Sequence, residues 1–167
     1  WHPFAEETAR DVAAWAPDRV ILLPLYPQFS TTTTKSFTQA WYPAAAQAGI
    51  SVPTAEICCW PDADGFIDAV ARGTEAAIAK LPVGAPYRIL FSAHGLPKKF
   101  VESGDPYAIQ VERTSAAALA RLAKPDADHV VCYQSRVGPL EWLQPYTVEE
   151  VARLAERGIT DIAVCAP

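Results

Sequence analysis

At 167 residues, 50% apolar and 20% charged, the chain is about one globular domain in length and can bury a sizeable core. Its net charge of -5 and lack of any Lys/Arg cluster exclude a nucleic-acid surface, which needs a basic patch to release counterions. No apolar run approaches the roughly 18 residues of a membrane span, and the longest, Val20–Leu25, is already broken by Pro24. In chain order, Ala5–Trp15 reads as a helix with Val12 and Trp15 on an alanine-lined face, and Arg19–Leu25 as a Val/Ile/Leu-rich strand. In YPQFSTTTT, five consecutive hydroxyl side chains, Ser30–Thr34, precede a helical pattern at Phe37, Ala40, Trp41 and Ala44. Helix capping accounts for one or two of these hydroxyls. It does not account for all five, nor for the aromatic pair Tyr26 and Phe29. Pro43 is expected to kink or end this helix, and Gly49 to stop it.

Ser51–Cys58 reads as a weaker strand that Pro53 places near an edge, with Cys58 and Cys59 as packing residues facing opposite ways. Phe66, Val70, Ala77 and Leu81 give Asp64–Leu81 one buried helical face. Pro82–Pro86 (PVGAP) is the best linker, so the sequence divides into residues 1–83 and 84–167. The buried strand YRILFSA then delivers His94 and Gly95 at its carboxyl end, where open α/β sheets bind ligands. An imidazole there can ligate a divalent transition metal or take a proton near neutral pH, and Gly95 and Pro97 fix the turn that aims it. The plainer alternative is a hydrogen-bonded loop histidine. Asp105–Pro106 starts a helix that runs to about Ala123, with Leu119 and Leu122 inward. His129–Gln134 is a buried strand, and SRVGPLEWLQPYT a long loop that presents Trp142 between prolines at the surface. Thr147 and Glu150 form a capping box for a helix ending at Gly158, before a last strand at Asp161–Ala166.

Helix and strand alternate five times, which predicts an α/β fold with parallel pairing and helices on both faces. Ser30, His94 and Ser135 each follow a strand's carboxyl end. Glu149 and Glu150 read as first-turn helix charges, Lys98 and Lys99 as a solvated pair, and Arg136 as a somewhat better partner for an anionic group. The four cysteines have no paired metal-ligand spacing, and no secretory signal opens the chain. Reduced thiols in a cytoplasmic protein fit that pattern. A chain that opens on Trp1, lacks methionine and stops at Pro167 directly after a strand is expected to be an internal piece of a longer protein.

Five segments, in this order, resemble those of one family: WHPF at Trp1–Phe4, LYPQFSTTTT, FSAHGLP, GDPY at Gly104–Tyr107, and YQSRVGPLEWLQPYT at Tyr133–Thr147. The family is the ferrochelatases, lyases that insert ferrous iron into protoporphyrin IX at the last step of heme synthesis, here in a Gram-negative bacterial version. The resemblance implies two similar Rossmann-like (chelatase-like) domains of three-layer parallel-sheet architecture with a porphyrin cleft between them. Residues 1–83 would end the first domain, and 84–167 would begin the second and carry the catalytic histidine. His94 matches the histidine assigned to metal binding or to taking a pyrrole proton. Tyr26, Ser30 and Trp142 match residues of the porphyrin cleft or its approach, joined by Phe29 as an aromatic wall and Arg136 as a propionate partner. The family's essential glutamate would lie beyond Pro167, and several porphyrin contacts before Trp1. Some members hold a two-iron cluster through a cysteine at the position of Thr31, so the threonine argues against an iron–sulfur cluster. The implied partners are protoporphyrin IX and ferrous iron as substrates, with no resident cofactor and no nucleic acid. Peripheral membrane contact by the parent and the oligomeric state stay open. A cobalt or nickel tetrapyrrole chelatase, or a non-catalytic porphyrin-binding module, are the alternatives; YPQFS and QSRVGP favour iron.

Overall fold

The computed structural model describes residues 2–167, so the Trp1 of WHPF lies outside the described residues. The chain forms two compact units, one ending at Trp60 and the other spanning Pro61–Pro167.

In the first unit, α1 (Ala5–Trp15), β1 (Val20–Leu22), α2 (Thr34–Gln47) and β2 (Thr54–Glu56) follow in order. The strands pair in parallel, Val20 against Thr54 and Leu22 against Glu56. Ala9 of α1, Leu22 of β1 and Trp41, Ala44 and Ala45 of α2 make the core. Both strands are shorter than the apolar runs suggest. Pro24 has no N–H to offer a ladder, and its carbonyl instead accepts the Trp60 indole N–H at 2.9 Å. Cys58 falls past β2 and is exposed rather than packed. Trp15 is exposed too, because Ala9 and Val12 supply the inward face of α1. Helix α2 runs through Pro43, which sits on its exposed side, so the carbonyl freed one turn earlier can meet water.

The second unit holds α3 (Asp64–Ile78), β3 (Tyr87–His94), α4 (Lys98–Glu102), α5 (Tyr107–Leu119), β4 (His129–Gln134), α6 (Thr147–Glu156) and β5 (Asp161–Cys165). Its sheet has the order β4-β3-β5, all parallel, with Phe91 of β3 opposite Val131 and Cys165. The connections from β3 to β4 and from β4 to β5 cross the sheet in opposite directions, so right-handed crossovers put their helices on opposite faces. Packing agrees. Ile89, Phe91 and Ala163 meet Ile67, Val70 and Ala71 of α3 and Ala118 and Leu119 of α5, while Leu90 and Cys132 meet Leu154 of α6. Burial on both faces explains why β3 reads as a continuous apolar run.

Three expectations change here. The compact units divide after Trp60, not at Pro82–Pro86, because the apolar face of α3 packs on β3 and β5. A sixth helix, α4, appears directly after the His94 turn; five residues are too few to show helical periodicity. The capping box at α6 is absent, since Thr147 is the first helical residue rather than the cap. Its hydroxyl bonds Ser92 Oγ at 2.8 Å and Cys132 Sγ at 3.3 Å instead. Glu150, 2% exposed, pairs with Arg153 and, at 3.8 Å, with Arg88. No helix among the described residues is long and apolar enough to cross a membrane.

Candidate active site

The second unit gathers its chemistry at the carboxyl ends of β3 and β4. His94 is the last residue of β3, opposite Gln134, and its imidazole is exposed. Among the described residues no hydrogen bond or ion pair engages that ring, so the plainer reading of a bonded loop histidine does not hold. The backbone around it is tied on several sides. The Gly95 N–H donates to the Gln134 carbonyl at 2.8 Å, Leu143 N–H to the Leu96 carbonyl at 2.9 Å, and Lys98 N–H to the Glu141 carbonyl at 2.9 Å. The Tyr107 hydroxyl donates to the His94 carbonyl at 2.9 Å. Burial, with the Asp105 carboxylate nearby, pushes the Tyr107 phenol up to about 12, so it stays a donor throughout the neutral range.

Trp142 is only 8% exposed, contrary to its expected place at the surface. Its indole N–H donates to the Val137 carbonyl at 3.0 Å, and its backbone forms a bridge with Pro97. The ring lies against Gly95: a Cβ there would come within 3.0 Å of Trp142 Cε3 and 2.8 Å of the Gln134 oxygen. Gly95 is therefore required by close approach. Ser135, just past β4, holds φ 68, the left-handed region that a non-glycine residue seldom adopts and that clusters at functional sites. Arg136 is exposed, its guanidinium 5.2 Å from the Tyr146 ring centroid. Lys98 is paired with Glu141 at 3.2 Å.

In the first unit, the segment after β1 and the start of α2 border an open pocket of about 710 Å³ lined by Leu23, Pro24, Leu25, Tyr26, Thr32–Thr34, Ser36 and Phe37. Tyr26 is 61% exposed and Phe29 half-buried. Ser30 is buried; its hydroxyl accepts the Thr32 N–H at 3.1 Å, and its carbonyl accepts the N–H groups of Thr33 and Lys35. Ser30 thus shapes the start of α2. The Thr34 hydroxyl, in the cavity lining, is fully buried and has no partner among the described residues. Sequence reasoning assigns Thr34 and Tyr107 no individual role: Thr34 is one of five consecutive hydroxyls, and GDPY a helix start and one of the five resembling segments.

A family model described as Ferrochelatase matches residues 1–167. The chain belongs to the ferrochelatase family. Curated relatives named Ferrochelatase agree: one from Caulobacter vibrioides (strain NA1000 / CB15N) is 50% identical over 92% of this chain and 43% of its own length. One from Phenylobacterium zucineum (strain HLK1) is 50% identical over 95% of this chain and 45% of its own. A third, from Wolbachia sp. subsp. Brugia malayi (strain TRS), is 46% identical over 95% of this chain and 47% of its own. The chain thus spans less than half the length of these ferrochelatases. The parallel α/β layers are those expected of the family's Rossmann-like fold. Among the described residues, no group of three or more His, Cys, Asp or Glu is placed to hold a metal ion.

Proposed function

We propose that this chain forms part of a ferrochelatase, a lyase that inserts Fe²⁺ into protoporphyrin IX as the last step of heme synthesis in the cytoplasm. The observation that carries the reading is the exposed His94 imidazole, without a partner among the described residues, at the carboxyl end of the central strand β3. Insertion replaces two pyrrole N–H protons with one ferrous ion, so the protein must accept protons beside an arriving metal. A neutral imidazole nitrogen takes a pyrrole proton and, being exposed, passes it to water. A lone imidazole also suits a metal that has to be handed on, since a closed four-ligand cage would keep it.

The flat macrocycle resists insertion, and bending it to present its nitrogen lone pairs draws roughly 1–5 kcal/mol from contacts remote from the metal. Tyr26, Phe29 and the apolar cavity wall contribute such contacts, and a volume of about 710 Å³ falls in the range of ligand sites. Arg136 supplies a guanidinium for a propionate carboxylate. Ser30 holds the hydroxyl-rich turn in shape, and Trp142 acts from behind the Gly95 turn. No resident cofactor is needed: iron is the substrate, and Thr31 offers no thiolate to a cluster.

The test replaces His94 with alanine in a protein of the relatives' full length. His94→Ala is expected to abolish iron insertion while porphyrin affinity stays within about tenfold, roughly 1.4 kcal/mol. Near-normal turnover would remove His94 from the chemistry. Parallel assays with Co²⁺ and Ni²⁺ distinguish a different tetrapyrrole chelatase, and porphyrin binding without turnover in the unmodified protein would indicate a carrier.

A further inference from the structure

We propose that Tyr107 is a positioning residue for His94: its hydroxyl fixes the peptide that aims the catalytic imidazole. The inference rests on the role given to His94 above. In a planar trans peptide the C=O and the following N–H point in opposite directions. The Gly95 N–H is directed at β4, where it meets the Gln134 carbonyl, so the His94 carbonyl faces the other way. On that side, among the described residues, the pairing of β5 with β3 reaches Phe91. The His94 carbonyl accepts the Tyr107 hydroxyl there, 2.9 Å away.

The GDPY segment builds the bracket that brings the phenol there. Gly104, at φ 95, turns the chain after α4, and the Asp105 N–H returns to the Phe100 carbonyl at 3.0 Å. The buried Asp105 carboxylate accepts the Tyr107 N–H at 2.9 Å, which fixes the first residue of α5. Tyr107 also packs beside the buried cluster of Ala93, Val111 and Tyr133, so its ring is anchored before its hydroxyl reaches the turn. The peptide after His94 is thus held from β4 at its N–H and from α5 at its C=O. A general base must sit within hydrogen-bond reach of its proton, and displacing it by an ångström costs on the order of a hundredfold in rate.

The test is Tyr107→Phe in the full-length enzyme, which keeps the ring and removes only the hydroxyl, with Gly95→Ala as a second perturbation of the same peptide. The expected result for Tyr107→Phe is a kcat about tenfold lower, with KM for protoporphyrin within about twofold and the pH profile of kcat/KM unchanged in shape. Gly95→Ala should give the same pattern. Iron insertion at wild-type kcat in Tyr107→Phe overturns the inference, as does a raised KM at unchanged kcat, which would mark a porphyrin contact. Loss of one limb of the pH profile also overturns it, because Tyr107 would then transfer a proton itself. If Tyr107→Phe melts below the assay temperature, the same criteria apply to assays in the cold and to Gly95→Ala. His94→Ala, run alongside, separates the two claims. A silent His94→Ala beside a fully active Tyr107→Phe defeats only the positioning role, whereas an active His94→Ala defeats both.

Discussion

Trp142 and Glu150 are side chains whose surroundings decide their roles. With its ring buried against Gly95 and its indole N–H bonded to Val137, Trp142 is packed as core. Trp142→Ala is expected to cost about 3–5 kcal/mol in a denaturant titration. Unchanged stability with weakened porphyrin binding would instead make Trp142 an open cleft wall. Glu150 lies buried against Arg88, whose side chain is 17% exposed, and removing the carboxylate leaves Arg88 with Asp128 at 3.3 Å as its remaining carboxylate partner. Glu150→Ala should cost about 1–3 kcal/mol in the same titration, more than an exposed first-turn glutamate would. Glu7 shows the opposite, surface case. The His2 side chain and the Phe4 N–H hold its carboxyl below the usual glutamate range. A depressed folded pKa adds stability that is complete above the ordinary value and lost as pH falls through the lowered one. Glu7 should therefore titrate late in an NMR acid titration, with the first turn of α1 loosening as it does; an ordinary midpoint would show no clamp. His94 was legible because a strand, a glycine and a proline announce it within a few residues. Trp142 and Glu150 were not, because Gly95 and Pro97, which lie against Trp142, and Arg88, which pairs with Glu150 beside the local Arg153, lie tens of residues away.

The helices and parallel strands were readable wherever apolar periodicity was long, as in α3 and β3. Periodicity failed at β1 and β2, where only three residues pair beside Pro24 and Pro53, and at α4, which spans little more than one turn. It failed also at the start of α6. Sequence spacing pairs Thr147 with Glu150, but the hydroxyl is drawn across the fold to Ser92 and Cys132. This contact offers a probe of the element. Burial pushes both the Cys132 and the Cys58 thiol pKa up, but Cys132 is fully buried under α6 whereas Cys58 is exposed. Disulfide-exchange labelling at neutral pH should modify Cys58 at once and Cys132 only as the protein opens, and Thr147→Val should speed the second phase. Equal rates for the two thiols would mean that α6 does not cover the sheet.

Taken alone, residues 1–167 present surface that a stable soluble protein would cover. Among the described residues β1 pairs only with β2, and Ile21, Leu23 and Leu25 are 60%, 53% and 81% exposed. Unpaired strand edges beside apolar side chains invite association. The isolated chain is expected to self-associate in light scattering and to insert no zinc or iron, while a protein of the relatives' length is monodisperse by comparison and active. Turnover by the isolated chain within about tenfold of the longer protein, some 1.4 kcal/mol in barrier, would show that these residues suffice. The compact units divide elsewhere than the linker at 82–86 for a physical reason. Proline and glycine at 82–86 mark a loop, but loops separate domains only where few contacts cross them, and α3 packs across this one onto β3 and β5.

That packing has a consequence during synthesis. The face of α3 that carries Val70 is completed by β5, and Val70 and Cys165 are 95 residues apart in sequence. At about 5–20 residues per second, a ribosome needs roughly 5–20 s to make the strand that covers a helix it has already released. Through that interval Ile67, Val70 and Ala71 lack part of their final cover, which makes the nascent chain a client for holding chaperones. Synonymous changes that slow translation between Pro82 and Asp161 should lower soluble yield without altering a single residue of the finished protein.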